Sequence, residues 1–262
     1  MDIKILVAAH KPYEFAQADV YMPVQVGAAL ADNFGITSDN TGDNISEKNP
    51  YYCELTGLYW MWQNVDADYY GLVHYRRYFA KRGPKRLFAR NKFACVPAAA
   101  DYEKLLIGGC DIILPSKRHY YIENLYSHYA HTHYGEHLDI TRGIIEDKCP
   151  EYAEAFDKVM KQRSGHMFNM MIMEKHPFKA YCGWLFDILA ELEKRVDYRS
   201  YDAYQARLFG RVSELLLNVW IVKNDYPYRT LPTVSMERMA WGRKIKSFIG
   251  AKFGGRKYNK SF

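Results

Sequence analysis

The sequence lacks the short motifs that mark several large enzyme classes. No G-x-G-x-x-G follows the first apolar run, and no Walker loop, G-x-S-x-G or H-E-x-x-H occurs anywhere in the chain. Each of these motifs supplies the backbone or side-chain groups on which its chemistry depends. Their absence argues against a dehydrogenase, a P-loop NTPase, a serine hydrolase and a zincin metalloprotease.

Cysteine is scarce, and long apolar runs are missing. The 5 cysteines are widely spaced and include no C-x-x-C pair, which argues against a zinc knuckle or a disulfide framework and favours reduced thiols in the cytosol. No run of 18 apolar residues occurs, and the apolar run near the N-terminus is too short for a signal peptide or a membrane span. These features predict a cytoplasmic protein that is soluble or peripheral to a membrane.

Acidic residues are missing from residues 238–262, so the formal net charge of +6 is unevenly distributed. There, Lys and Arg alternate with Met, Trp, Ile and Phe. Near an anionic lipid surface each basic residue contributes about 1 kcal/mol of binding free energy. We therefore predict a domain over residues 1–237 and a basic, aromatic tail that contacts the cytoplasmic membrane surface, in preference to a nucleic acid. A solvated terminus or an RNA-binding segment is the alternative.

Apolar periodicity predicts one α/β domain with a mixed, mostly parallel sheet and a helical C-terminal part. Residues 32–50, rich in Asn, Asp, Gly and Ser, are predicted to form a loop. Strands are predicted over residues 3–9, 69–73, 110–114 and 167–173. Helices are predicted over residues 51–64, 102–107, 125–146, 152–161, 181–195 and 204–220.

An imidazole and two arginines follow the strand predicted at residues 69–73. They are His74, Arg76 and Arg77, and the first predicted strand likewise ends at His10 and Lys11. Ligands of open α/β sheets bind beyond the carboxyl ends of the strands, and the guanidinium fork matches a phosphate. The pattern therefore predicts a phosphate-binding site at this edge of the sheet. The alternative is a solvated turn whose arginines pair with nearby carboxylates.

The segment Y-S-H-Y-A-H-T-H-Y-G-E-H-L-D at residues 126–139 holds four histidines. On a helix, His128, His131 and His137 could approach one another and Asp139, and could bind a metal. The ordinary alternative is a polar helix face on which tyrosine hydroxyls satisfy the imidazoles. In a third interpretation, His131 and Asp139 are proton acceptors.

Two polar sites interrupt apolar runs in the second half of the chain. Asn169 lies within M-F-N-M-M-I-M, where an unpartnered amide costs on the order of a few kcal/mol, so that it bonds backbone in the core or points into a ligand cleft. Ser213 and Glu214 open an apolar helical run. Ser213 could cap that helix, and the Glu214 carboxylate could interact favourably with the positive end of the helix dipole. Alternatively, Glu214 is a carboxylate base.

Several longer segments carry a family resemblance. They include G-D-N-I-S-E-K-N-P-Y-Y-C-E-L-T-G-L-Y-W-M-W-Q-N at residues 42–64 and D-Y-Y-G-L-V-H-Y-R-R-Y-F at 68–79, together with D-I-I-L-P, H-Y-A-H-T-H-Y, M-F-N-M-M-I-M and W-L-F-D-I-L-A-E-L-E-K-R further on. From about residue 3 to about residue 235, the chain resembles a group of bacterial glycosyltransferases from capsule, exopolysaccharide and lipopolysaccharide gene clusters, long catalogued as a domain of unknown function.

The resemblance implies a single GT-A-like (Rossmann-like) domain that takes a sugar from a nucleotide-sugar, with galactofuranosyl transfer among the activities attributed to the group. Most GT-A enzymes hold a divalent metal with an Asp-x-Asp at the end of a central strand. In this chain His74-Tyr75-Arg76 stands in the corresponding place, so the resemblance leaves metal dependence open and no metal ligand is assigned. Fixed cations can neutralise a leaving diphosphate as a metal would.

The expected function is transfer of a hexose (galactose, galactofuranose or glucose) from a UDP-sugar to a polyprenyl-linked glycan at the inner face of the cytoplasmic membrane. By order along the chain, the resemblance places Arg211 and Glu214 where such folds have an acidic residue facing the acceptor, so that Glu214, or alternatively Asp139, is expected to take the acceptor proton. The donor would be bound by His10 and Lys11 at the nucleotide, Asp43 and Asn44 at its base or ribose, His74, Arg76 and Arg77 at the diphosphate, and Asn169 and Arg211 near the sugar.

Two other functions stay open at this point. One is a metal-dependent hydrolase or phosphodiesterase that uses the segment from His128 to Asp139. The other is a nucleic-acid-binding or lipid-binding module that uses the basic tail.

Overall fold

The computed structural model describes residues 1–84 and 88–237. The tail predicted to contact a membrane, residues 238–262, lies outside the described residues. Both the boundary at residue 237 and the role of the tail therefore remain predictions.

Eleven strands and eight α-helices are defined within the described residues. The strands are β1 Ile3–Ala9, β2 Tyr21–Gln25, β3 Thr37–Ser38, β4 Tyr69–His74, β5 Arg77–Phe79, β6 Ile112–Pro115, β7 Arg118–His119, β8 Ser164–Gly165, β9 Met171–Glu174, β10 Tyr228–Leu231 and β11 Thr233–Ser235. The α-helices are α1 Asn49–Tyr52, α2 Leu55–Asn64, α3 Ala99–Leu106, α4 Leu125–Thr132, α5 Glu136–Lys148, α6 Ala153–Lys161, α7 Lys175–Arg195 and α8 Leu208–Asn224. Short 3₁₀ helices span Ala28–Leu30, Ser46–Lys48, Lys92–Cys95, Pro150–Tyr152, Tyr198–Ser200 and Gln205–Arg207.

The main sheet has the strand order β10-β6-β9-β4-β1-β2-β3, with β5 and β11 attached beside β4. Strand β9 pairs antiparallel with both β4 and β6, while every other pair along this path is parallel. A separate two-stranded ladder joins β7 to β8. The predicted α/β class with a mixed, mostly parallel sheet is therefore confirmed.

The central strands are buried on both faces, which explains their continuous apolar sequences. Along β1, Leu6 packs into a core shared with α2, α7 and α8, whereas Ile5 and Val7 pack into a second core shared with α3. On β4, a Cβ atom added at Gly71 would lie 3.0 Å from side-chain atoms of both Ile5 and Ile172. The glycine lets these neighbouring strands bring their isoleucines together.

Two predicted helices are each divided in the structure. The helix predicted over residues 51–64 is interrupted at Cys53, whose φ of 54° takes the backbone out of the helical region between α1 and α2. The helix predicted over residues 125–146 ends at Thr132, because His133 has an extended backbone, and α5 begins at Glu136. Both interruptions follow from backbone conformations that apolar periodicity does not report.

The topology brings several chain segments to one edge of the sheet. Strands β1 and β4 are parallel, so His10 and the residues after His74 leave the sheet at the same edge. Since β9 runs the opposite way, its first residues arrive at that edge, with Leu72 opposite Met171.

Candidate active site at the carboxyl edge of the sheet

A two-residue turn of unusual backbone conformation lies at the centre of this edge. Phe168 and Asn169, which precede β9, have φ values of 78° and 53°. A non-glycine residue in the left-handed region costs on the order of 1–3 kcal/mol and persists where the surrounding structure holds it in place. The prediction of a strand over residues 167–173 with Asn169 at its centre is therefore wrong. The strand begins at Met171, and Asn169 belongs to the turn.

The backbone of Phe168 is bound from two sides. Its carbonyl oxygen lies 2.6 Å from Nε2 of His74, so the ring donates through this nitrogen. Its N–H donates to Oε2 of Glu214 over 3.1 Å. Residues predicted to bind diphosphate and to act as a base thus converge on the backbone of one residue, Phe168. His74 itself is engaged in holding the turn.

The side chain of Asn169 is fully buried and bonded to two helices. Its Nδ2 donates to Oε1 of Glu54 over 2.7 Å and to the carbonyl oxygen of Gly210 over 3.0 Å. The hydroxyl of Ser213 lies 2.9 Å from Asn169 Oδ1 and 2.8 Å from the Gly210 carbonyl oxygen. The predicted capping role of Ser213 is wrong, because α8 begins five positions earlier, at Leu208. Asn169 therefore ties the turn to α8 and to Glu54.

The carboxylate of Glu214 partly neutralises the charges of two arginines, Arg77 and Arg211. The guanidinium carbon of Arg77 lies 3.8 Å from the centroid of the Phe168 ring. Burial lowers the pKa of Arg77, and the negative charge of Glu214 opposes that shift. Arg211, on the first turns of α8, places Nη1 3.6 Å from Oε1 of Glu214, whose side chain is only 16% exposed. The two guanidiniums therefore flank one half-buried carboxylate.

A second group of cations acts on His10. The Arg76 side chain is 38% exposed and reaches Glu237 at 3.7 Å, and Lys11 lies 5.5 Å from the centroid of the Tyr75 ring. Arg207, directly before α8, donates from Nε to the sulfur of Cys53 over 3.0 Å. Burial lowers the pKa of His10, and the charges of Lys11, Arg76 and Arg207 lower it further. These groups converge on the neutral imidazole of His10.

Arg118 completes the arrangement, because its charge also acts on Arg77. Here we call these basic residues the cation cluster, and it comprises His10, Lys11, Arg76, Arg77, Arg118, Arg207 and Arg211. The carboxylates beside it are Glu54, Glu214 and Glu237. Within the described residues, the cluster carries more positive charge than these carboxylates neutralise. Such an excess at the carboxyl edge of an α/β sheet favours an anionic ligand.

Sequence reasoning missed Glu54, Arg118 and Arg207. Glu54 follows the interruption at Cys53 inside a predicted helix, and Arg207 also falls within a predicted helix. Neither residue ends a predicted strand, which was the signal used for His10 and Arg76. The family resemblance does cover Glu54, as part of the segment at residues 42–64, but assigns it no role.

Asp43 and Asn44 bond to residues outside the cation cluster, and their place at the nucleotide remains a prediction. The backbone N–H of Asp43 donates to Oδ1 of Asn64 over 3.1 Å, at the far end of α2 from Glu54. Ten residues of helix separate these ends by about 15 Å. Asn44 bonds only locally, to Gly42 and Ser46.

The histidine segment is divided among different partners. The Nδ1 atoms of His128 and His131 lie 2.8 Å and 2.6 Å from the carboxylate of Glu123. His137 bonds the hydroxyl of Tyr129 over 2.9 Å, as the ordinary interpretation predicted. The Tyr126 hydroxyl donates to Asp139 over 2.9 Å.

These separate pairings do not support the predicted convergence of His128, His131, His137 and Asp139. Burial alone would raise the pKa of the Glu123 carboxyl, but the hydrogen bonds from both imidazoles lower this pKa below its ordinary value. In the part of the chain that the structure describes, no group of three or more His, Cys, Asp or Glu side chains is arranged to hold a metal ion. The segment therefore provides no support for the metal-dependent hydrolase.

Comparisons with known proteins agree with this geometry. The family described as Domain of unknown function (DUF4422) matches residues 4–225. The apo structure of the WbbM bifunctional glycosyltransferase superposes with a TM-score of 0.80 and 30% sequence identity, over 91% of this chain and 46% of that one. The chain thus spans about half the length of that protein, and no curated protein matches it. The resemblance predicted from the sequence is confirmed, and the chain belongs to the DUF4422 family.

Proposed function

We propose that this chain is a glycosyltransferase that moves a hexose from a UDP-sugar to a lipid-linked glycan in bacterial surface-polysaccharide synthesis. The observation that carries the proposal is the excess of cations around a fixed turn at the carboxyl edge of the sheet. The likeness to a bifunctional glycosyltransferase supports the reaction class. Among the described residues, no helix is long and apolar enough to cross a membrane. We place the enzyme in the cytoplasm, at the inner membrane face.

In this proposal Arg76 and Arg207 hold the donor diphosphate, with Lys11 beside them. The Arg76 side chain is 38% exposed and Lys11 is exposed, whereas Arg77 is engaged with the Phe168 ring and with Glu214. A guanidinium offers phosphate a rigid pair of donors, and it keeps its charge at neutral pH. The neutral ring of His10 contributes a hydrogen bond to the nucleotide. His74 positions the turn instead of contacting the diphosphate.

The side chains at this edge do not suit a divalent metal on the diphosphate. Such a metal prefers several carboxylate or carbonyl oxygens. Here Glu54 already accepts from Asn169, and Glu214 accepts from Phe168 and faces Arg211. Both carboxylates stand among cations. In this proposal Arg76, Arg207 and Lys11 therefore neutralise the charge of the leaving diphosphate.

Glu214 is the proposed base. One of its oxygens accepts the Phe168 N–H and the other faces Arg211, so the carboxylate is held at the edge of the cluster. As the acceptor oxygen bonds to the anomeric carbon, its proton passes to Glu214. The bond from that carbon to the diphosphate breaks, and its electron pair remains on a phosphate oxygen beside the cations. Asp139, bonded to Tyr126, is not needed for this step.

Calorimetric titration with UDP tests the donor site. Arg76→Ala and Arg207→Ala each remove a charged donor, and we expect each to weaken UDP binding about tenfold to a hundredfold. Arg229→Ala is the matched control. Arg229 is an exposed arginine on β10, beside Gly108 at the opposite edge of the sheet, and its loss should leave the affinity unchanged. If both cluster variants bind UDP as tightly as the wild type, the assignment of the diphosphate site is wrong.

A further inference from the structure

A short loop, the rim loop, follows β6 at the carboxyl edge of the sheet and lies beside the cation cluster. This rim loop comprises residues 116–124, and the segment that includes β8 holds it at both ends. Its strand β7 pairs with β8, and the N–H of Tyr120 donates to the Arg163 carbonyl oxygen over 2.7 Å. Just beyond the loop, the N–H of Leu125 donates to the Gln162 carbonyl oxygen over 2.8 Å. The loop between these anchors is a fixed protrusion.

The tip of the rim loop exposes two large apolar side chains. Tyr121 is 85% exposed and Ile122 is 65% exposed. Adjacent large apolar residues in water mark an interaction site more often than isolated ones do. Lys117, Arg118 and Arg163 are exposed beside the tip or beside its anchors. The acidic residue of the loop, Glu123, is engaged by two histidines of α4.

The rim loop adjoins the cation cluster. The Tyr120 ring lies 4.1 Å from the His128 ring, and the Arg118 guanidinium lies 5.2 Å from the Tyr120 ring. Arg118 also acts electrostatically on Arg77, which packs on the central turn. A surface on which the rim loop rests would therefore lie beside the cation cluster.

We propose that the rim loop docks the protein on an anionic lipid bilayer. Tyr121 and Ile122 enter the boundary between headgroups and acyl chains, and Lys117, Arg118 and Arg163 face the lipid phosphates. A neutral glycan stacked on Tyr121 would leave Ile122 and the flanking charges without a role, so the charge pattern favours lipid. The inference deepens the proposed function, because a lipid-linked acceptor would then be presented beside the cation cluster.

Vesicle co-sedimentation of the full chain tests the docking surface. The vesicles contain phosphatidylcholine with or without phosphatidylglycerol, and the test protein carries Tyr121→Ser and Ile122→Ser. We expect its partitioning onto the anionic vesicles to fall at least about tenfold, because both apolar contacts are lost. The matched control carries Ile107→Ser and Tyr228→Ser. These residues are also exposed but lie at the opposite edge of the sheet, where β6 and β10 begin, and their loss should leave binding unchanged.

Each outcome bears on the docking surface alone. If the wild type does not bind anionic vesicles, or if the rim-loop variant binds them as strongly as the wild type does, the inference is wrong. The same holds if that variant keeps lipid binding but loses turnover on a water-soluble glycan acceptor, since the loop then contacts glycan. Calorimetry with UDP separates the two proposals. If the rim-loop variant loses lipid binding but even the wild type does not bind UDP, the docking surface is supported and the proposed donor is wrong.

Discussion

Replacing Asn169 by alanine removes the side chain that joins the Phe168–Asn169 turn to α8 and to Glu54. The hydrogen bond from Nδ2 to the Glu54 carboxylate is charge-assisted, and its loss costs about 1.5–3 kcal/mol. Alanine also meets a backbone φ of 53°, which costs it about 1–2 kcal/mol and which asparagine tolerates better. Together these effects lower the free energy of unfolding by about 3–5 kcal/mol.

Asn169→Gly separates the two contributions. Glycine loses the same hydrogen bonds but adopts a positive φ without steric cost. We therefore expect the glycine variant to be more stable than the alanine variant by about 1 kcal/mol, since the greater freedom of glycine in the unfolded chain offsets part of its advantage.

Urea denaturation followed by tryptophan fluorescence measures both differences. A loss of less than about 1 kcal/mol in the alanine variant, or a glycine variant less stable than the alanine one, would refute the account of the turn. Ser200→Ala, an exposed serine bonded only to the nearby Asp197 carbonyl oxygen, is a control that should change little.

Two further predictions concern the base and the buried histidines. Glu214→Gln should lower turnover by about a hundredfold or more while UDP affinity changes little, because the amide keeps the shape of the side chain but cannot take the acceptor proton; comparable losses in turnover and in UDP binding would contradict that role. Burial lowers the pKa of His133, His137 and His166 to about 4. The unfolded chain therefore binds more protons below the ordinary value of 6.5, and the free energy of unfolding should fall as pH drops from about 6.5 to about 4, with each histidine contributing up to about 1.4 kcal/mol per pH unit. Urea midpoints measured between pH 7 and pH 4 check this, and His137→Gln should flatten the curve.

The strands and the basic edge of the sheet follow from local sequence. Because β1 and β4 are buried on both faces, their residues form short apolar runs, and the polar residues that end these runs mark the carboxyl edge. Parallel pairing then brings His10 and Arg76 to the same edge, which the order of elements predicts. The family resemblance adds a prediction of the fold class to these local predictions.

The remainder of the site depends on contacts between segments distant in sequence. Glu54 and Asn169 are 115 positions apart, and their hydrogen bond helps to hold the turn in its left-handed conformation. No local pattern indicates a positive φ at a phenylalanine followed by an asparagine. The position of Asp43 likewise depends on a distant contact, because its backbone bonds the side chain of Asn64 at the end of α2.

Changes to the turn and to the proposed donor-binding cations should have different effects. The Phe168–Asn169 turn is bound by His74 of β4, Glu54 before α2 and Glu214 of α8, so a disturbed turn displaces both carboxylates together. Arg207 has no described contact with that turn, since its Nε donates to Cys53. A change at Asn169 should therefore reduce turnover and stability together, whereas Arg207→Ala should reduce donor binding at nearly constant stability. If Arg207→Ala destabilised the fold as much as Asn169→Ala, its contact with Cys53 would be structural and the donor diphosphate would need another partner.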